Sequence, residues 1–201
     1  MKVETLIVGN LSTNCYLVYS DQKVIIVDPG DDTDFIIRKI KDLELEPQAI
    51  IATHGHFDHV LAVTELKLAF KIPFYIHKDD EFLLKRMSQT SKYFTGFDPG
   101  PAPKPDNFLK ENLKIGKDIF KVIPTPGHTS GSISLYAKGL VFVGDLLFSG
   151  GGVGRTDLAG GSKELLNISI KKIIKLPKDT IIYPGHGGET TIAELQSYFS
   201  T

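Results

Sequence analysis

Short apolar runs broken by turn residues dominate the start of the chain. Val3–Val8, Cys15–Tyr19 and Val24–Val27 read as strands. Asp28-Pro29-Gly30 ends the third run, and Asp31 to Thr33 are placed to cap a helix over Asp34–Leu43, with Phe35, Ile36, Ile40 and Leu43 as its apolar stripe. Ala49–Ala52 is a short buried strand. After the segment 53–59 comes an amphipathic helix over Val60–Phe70, then a strand at Phe74–Ile76 and a helix near Asp79–Met87. The stretch Ser88–Asn107 holds Gly96, Pro99, Gly100, Pro101, Pro103 and Pro105 and shows neither period, so a long loop is expected there. Strands return at Asp118–Ile123, Ser132–Ala137 and Leu140–Val143. A glycine-rich loop over Ser149–Gly161 precedes a helix over Lys163–Ile174, then a strand at Ile181–Tyr183 and a helix over Thr191–Phe199. Both halves thus read as sheet faced by helices, which predicts two sheets packed face to face with helices outside, a layered α/β domain spanning 1–201.

Composition changes this picture little. Apolar residues are 41% and charged residues 23% of the 201, so the chain can fill a core and disorder is not expected. A formal charge of −1 gives no global attraction to nucleic acid or an anionic membrane, so neither is expected as a partner. The lone cysteine, Cys15, excludes an internal disulfide and reads as a small buried strand residue. No long apolar run and no leader-like start are present, and a cytoplasmic location is expected.

The histidines carry the chemistry. In Thr53-His54-Gly55-His56-Phe57-Asp58-His59, three of the six histidines fall directly after a predicted strand. While the chain stays extended, residues two apart point the same way, so His54 and His56 can reach one metal ion. The turn into the next helix re-aims Asp58 and His59 toward a second. His128 follows the strand ending at Ile123, Asp145 follows Val143, and His186 follows Tyr183, each beside a glycine. The expected scheme puts His54, His56 and His128 on one metal and Asp58, His59 and His186 on another, with Asp145 bridging. Two divalent cations are therefore expected. All donors are nitrogen or oxygen, with no thiolate to select among metals, so zinc, iron and manganese all suit them; zinc is taken as the first expectation. Asp58 is also the candidate catalytic residue, orienting the nucleophile or accepting its proton. Asp28 could orient a ligand histidine or simply end its strand. His77, alone between a strand and a helix, reads as a capping or packing residue. Arg155 could bind a substrate carboxylate or pair with Asp157, and Tyr93, Phe94 and Phe97 could form an aromatic cover over substrate or anchor their loop by apolar packing.

The segment 53–59 resembles the HxHxDH motif of the metallo-β-lactamase superfamily, and His128, Asp145 and His186 match its later ligand motifs in order. Asn14-Cys15-Tyr16-Leu17-Val18 and Val27-Asp28-Pro29-Gly30 extend the resemblance over essentially the whole chain. It implies a four-layer αββα sandwich with the site at one edge of two mixed sheets. Gly154-Arg155-Thr156-Asp157-Leu158 and Pro126-Gly127-His128-Thr129 are most similar to the glyoxalase II-like group, the hydroxyacylglutathione hydrolases. The resemblance is to the short branch without a C-terminal helical extension, and it implies hydrolysis of a small-molecule thioester such as S-lactoylglutathione by a metal-bridging hydroxide. A mononuclear Fe(II) persulfide dioxygenase and a lactone or phosphodiester hydrolase of the same superfamily stay open as alternatives.

Overall fold

The computed structural model describes residues 1–199; the chain end at Thr201, and with it the expectation that no helical extension follows, lies outside the described residues. The first sheet has the order β1 (Lys2–Val8), β2 (Thr13–Ser20), β3 (Lys23–Val27), β4 (Glu46–Ile51), β5 (Phe74–His77) and β6 (Asn107–Leu109). β1 to β3 form an antiparallel meander, and β3 to β6 run parallel. The second sheet runs from β7 (Leu113–Ile115) through β8 (Asp118–Pro124), β9 (Ile133–Ala137), β10 (Leu140–Gly144) and β11 (Ile181–Pro184) to β12 (Thr190–Thr191). Only its β10–β11 pair is parallel, so both sheets are mixed, as expected.

Strand alternation divides the core into layers. Along β2, Cys15 and Leu17 face one side while Tyr16 and Val18 face the other; β3 repeats this with Val24 and Ile26 against Ile25 and Val27. The outward set packs on α1 (Thr33–Asp42) and α2 (Val63–Phe70) through Ile36, Ile40 and Leu66. The inward set meets Phe120, Val122, Leu135 and Phe142 of the second sheet. Val141 and Val143 of β10 turn to the far side, against Leu166 and Ile170 of α5 (Lys163–Ile173) and Leu195 of α6 (Ile192–Phe199). Three apolar layers between four structural ones give the αββα sandwich. Cys15 is buried in β2, and burial raises its thiol pKa well above the ordinary value.

Several sequence expectations need correction. The stretch 88–107 is not a plain loop: Met87–Thr95 is a helix, α4, ending at Gly96 with φ 76°. Its buried positions are Met87 and Ser91, so a serine sits where an apolar residue would have shown the period. The helix expected near Asp79–Met87 is a 3-10 turn at Lys78–Asp80 followed by the short α3 (Glu81–Lys85), with Arg86 at the bend into α4. The helix expected from Val60 starts at Val63, because Phe57–His59 forms a separate 3-10 turn that aims Asp58 and His59. Asp31 to Thr33 do not cap α1 by side chain: Asp32 sits at the cap with φ 52°, and its carboxylate accepts from the Gly9 backbone N–H instead. The short strands β6, β7 and β12 were not anticipated.

Candidate metal centre

Every expected ligand follows a strand of the inner sheets at one edge of the sandwich. His54 and His56 lie just past β4, His128 past β8, Asp145 directly after β10, and His186 two residues beyond β11. The structure brings all seven together. Ligand atoms of His54, His56 and His128 lie within 4.8 Å of one another, and so do those of Asp58, His59 and His186. Asp145 stands between the two groups: its Oδ1 is 3.5 Å from His59 Nε2, and its Oδ2 is 3.6 Å from both His128 Nε2 and His186 Nε2. In the second group, Asp58 Oδ2 is 3.6 Å from His59 Nε2 and 3.4 Å from His186 Nε2.

The remaining nitrogens of His54, His59, His128 and His186 are already engaged, which fixes the direction of those rings. The Thr53 hydroxyl is 3.1 Å from His54 Nδ1, while Asp28 takes the Thr53 hydroxyl and is 3.1 Å from His59 Nδ1. His128 Nδ1 meets the Arg155 carbonyl at 2.8 Å, and His186 Nδ1 meets the Leu11 carbonyl at 3.1 Å. Asp28 therefore both ends its strand, at a left-handed φ of 51°, and orients a ligand ring. His77 accepts from the Asp79 N–H, the capping role expected of it.

The donors fit bound metal ions. His54 Nε2, His59 Nε2 and Asp145 Oδ1 are buried without any hydrogen-bond partner, a costly condition that a bound cation relieves. His128 Nε2 and His56 Nδ1 face each other at 2.9 Å, a contact between ring nitrogens that requires a positive charge or proton between them. The electrostatics split the site. Burial, then the neighbouring histidines, pushes His54 far down and His56 down to about 3, so both of these rings are held neutral. Burial works against charge on His59 too, but Asp58, Asp145 and Asp28 outweigh it and hold that ring up at about 10. Burial would raise the Asp58 carboxyl, yet His59 and His186 keep it well below the usual carboxylate range. The second group is the one that gathers positive charge.

Glycine at the ligand loops reflects crowding. A Cβ on Gly185 would stand 2.0 Å from Asp145 Oδ1 and 2.8 Å from the His59 ring, and one on Gly30 would stand 1.9 Å from the Asp58 carbonyl.

Two positioning residues escaped the sequence reading. Asp80 is fully buried, and its carboxylate accepts from Gly55 N–H (2.8 Å), the Thr129 hydroxyl (2.7 Å) and Gly131 N–H (2.6 Å). It ties the loop of His54 and His56 to the loop of His128. Burial raises its pKa against the pull of those donors. Nothing in the sequence around Asp79-Asp80 separates it from a surface acid. Asn14 binds the carbonyls of Pro184 (3.0 Å) and Gly187 (2.8 Å) on either side of His186. Its place inside β2, directly before the apolar run Cys15–Val18, was the available signal.

A cavity of about 530 Å³ opens onto the cluster. Its walls include Leu11, Phe57, Tyr93, Phe94, Arg86 and Arg155. Phe94 stacks on Phe57 at 6.1 Å and 13°, so the aromatic cover is anchored to the histidine motif and also faces the cavity. Arg155 reaches the cavity, but its guanidinium makes two bonds to Asp157, at 2.8 and 2.7 Å. No helix among the described residues is long and apolar enough to cross a membrane.

Known proteins align with this geometry. The sequence profile of the metallo-beta-lactamase superfamily matches residues 8–186. The probable metallo-hydrolase YqgX of Bacillus subtilis is 40% identical over 203 residues, covering 98% of this chain and 95% of that protein. The hydroxyacylglutathione hydrolase GloC of Haemophilus influenzae is 36% identical over 202 residues, covering 96% and 94%. Among solved structures, the B3 metallo-beta-lactamase BLEG-1 superposes with a TM-score of 0.92 at 38% identity, over 98% of this chain and 97% of that one. TTHA1623, solved in a di-iron-bound form, gives a TM-score of 0.89 at 36% identity, over 97% of both chains.

Proposed function

The chain belongs to the metallo-beta-lactamase superfamily, and on that premise we propose that it is a metal-dependent hydrolase of thioesters. The observation that carries this reading is the pair of three-residue groups flanking one carboxylate, Asp145. We assign His54, His56 and His128 to one divalent cation and Asp58, His59 and His186 to a second, with Asp145 shared. Zinc is the leading candidate; iron and manganese suit the same donors, since no thiolate selects among them.

Cations held there would supply a hydroxide near neutral pH and positive charge for a carbonyl oxygen. The protein's own groups do the rest. Asp58 takes a hydrogen bond from the Thr13 hydroxyl at 3.3 Å and lines the cavity beside His59 and His186, a position from which it orients the nucleophile and accepts its proton. Asp28, through Thr53 and His59, keeps two ligand rings from turning. Tyr93 and Phe94 cover the substrate, and with Leu11 and Phe57 they exclude water from the reacting carbonyl.

A thioester suits this arrangement because a thiolate leaves without a strong acid. Among the described residues lining the cavity, Asp58 and Asp145 are the only carboxylic acids, and both are assigned to the cations. Support for the substrate class comes from GloC, at 36% identity over nearly the whole chain. Elemental analysis beside an S-lactoylglutathione assay tests the reading. Two metals per chain with rapid hydrolysis is the expected result. One iron per chain, no hydrolysis, and oxygen uptake on glutathione persulfide would overturn it in favour of a dioxygenase.

A further inference from the structure

Arg86 is the cation in the cavity that has nothing to do. It sits at the bend between α3 and α4, and its backbone is tied on both sides: its N–H donates to the Leu83 carbonyl (3.0 Å), and its carbonyl accepts from the N–H (2.9 Å) and the hydroxyl (3.0 Å) of Thr90. The side chain, in contrast, makes no hydrogen bond or ion pair among the described residues, yet it lines the cavity that opens on the cluster. The neighbouring acid, Glu81, is paired with Lys85. Across the cavity the charge of Arg155 is met by Asp157, and the carboxylates of Asp58 and Asp145 face histidines. An unpaired guanidinium beside Leu83 and Phe94 presents five donors in a planar fork suited to a carboxylate. The chain as a whole carries a formal charge of −1, so it draws an anionic substrate only through a local feature of this kind.

We propose that Arg86 is a specificity-determining residue that binds a carboxylate carried by the substrate away from the scissile bond. The proposal rests on the thioester reading for the identity of that substrate. The carboxylate belongs either to the thiol half, as in glutathione, or to the acyl half, and paired substrates separate the two sources. The metal-loaded wild type and the R86Q and R86K variants are assayed with three thioesters. S-lactoylglutathione carries carboxylates on the thiol, S-succinyl-N-acetylcysteamine carries one on the acyl group, and S-lactoyl-N-acetylcysteamine carries none. R86Q is expected to raise KM about tenfold for one of the charged substrates, the size of a single charge-assisted hydrogen bond. Its kcat should stay within about twofold, the neutral substrate should be unaffected, and R86K should recover part of the loss. Equal effects on all three substrates, or none on any, would overturn the assignment.

Binding gives a readout that does not depend on turnover. Titration calorimetry with S-methylglutathione and with succinate, on wild type and R86Q, should show weaker binding of one of them to the variant. If no thioester is hydrolysed while that difference persists, the thioester reading falls and the role of Arg86 stands. If thioesters are hydrolysed and neither KM nor binding responds to R86Q, the role of Arg86 falls alone.

Discussion

The ligand cluster and the helical wall that faces it are constrained to very different degrees. The candidate ligands stand on strand ends or, for Asp58 and His59, on the 3-10 turn after β4, and four of the five histidines have their second ring nitrogens held by Thr53, Asp28 or a backbone carbonyl. His54, His59 and His128 are essentially without solvent contact. On the α3–α4 wall, Tyr93 is 82% exposed and Phe94 47%, and Arg86 has no side-chain partner. That wall packs on the core through Leu84 and Met87, and its exposed face meets the histidine motif where Phe94 stacks on Phe57. The difference separates chemistry from selection: a reaction centre tolerates no loose ligand, whereas a recognition wall needs groups left free for the substrate. Changes in the cluster should therefore alter metal content and turnover, and changes in the wall should alter KM.

The largest expected effect is metal removal. Exhaustive chelation should abolish hydrolysis, lower the melting temperature because the cations bind the folded chain only, and be reversed by adding back zinc, iron or manganese. Full activity after demonstrated metal loss would remove the cluster from the chemistry altogether. Asp58→Ala comes next, with a fall in kcat of about 10²- to 10⁴-fold, the range for losing a positioned acid–base group. Unchanged metal content and unchanged turnover in that variant would end the assignment of Asp58. Asp80→Ala should be smaller. Its three acceptor contacts join two ligand loops, and losing a group that supports metal ligands costs about 10- to 100-fold in metal affinity. A competitive chelator titration measures it; an affinity equal to wild type would show that the two loops are held apart from Asp80.

The same contrast explains what could be read from the sequence. The layered sheets were legible because alternation in β2, β3 and β10 is carried by residues with few other uses, such as Val24-Val27 and Val141–Val143. The candidate cluster was legible because histidine is scarce and three of the six fall within one six-residue motif after a strand. α4 was not legible, since Ser91 holds a core position with its hydroxyl donating to the Phe97 carbonyl rather than through apolar surface. β6 and β12 escaped because such short strands owe their existence to neighbours, β5 and β11, that no local pattern reveals. Asp80 and Arg86 escaped for a related reason. Their chemistry lies in what surrounds them, a buried carboxylate between two loops and a guanidinium in a cavity, and a lone Asp or Arg in sequence carries no trace of either.

Phe94→Ala is the mildest test and the sharpest on the separation of the two regions. The ring stacks on Phe57 at 6.1 Å, an interaction worth about 1 kcal/mol for an aromatic pair. Phe57 itself is only 7% exposed and packs in the core cluster beneath α2, so it stays in place when Phe94 is trimmed. The variant should lose about 1 kcal/mol of stability by denaturant titration and show a severalfold rise in KM, because the substrate loses one aromatic wall. Metal content and kcat should stay at wild-type values, and Phe94→Leu should recover most of the stability by restoring apolar cover over Phe57. A fall in metal content would show that the stack transmits to His56 and Asp58 on either side of Phe57, making wall and cluster one unit. Tyr93 offers the control: it meets Phe94 edge-on at 5.0 Å but lies farther into solvent, so Tyr93→Ala should move KM less than Phe94→Ala does.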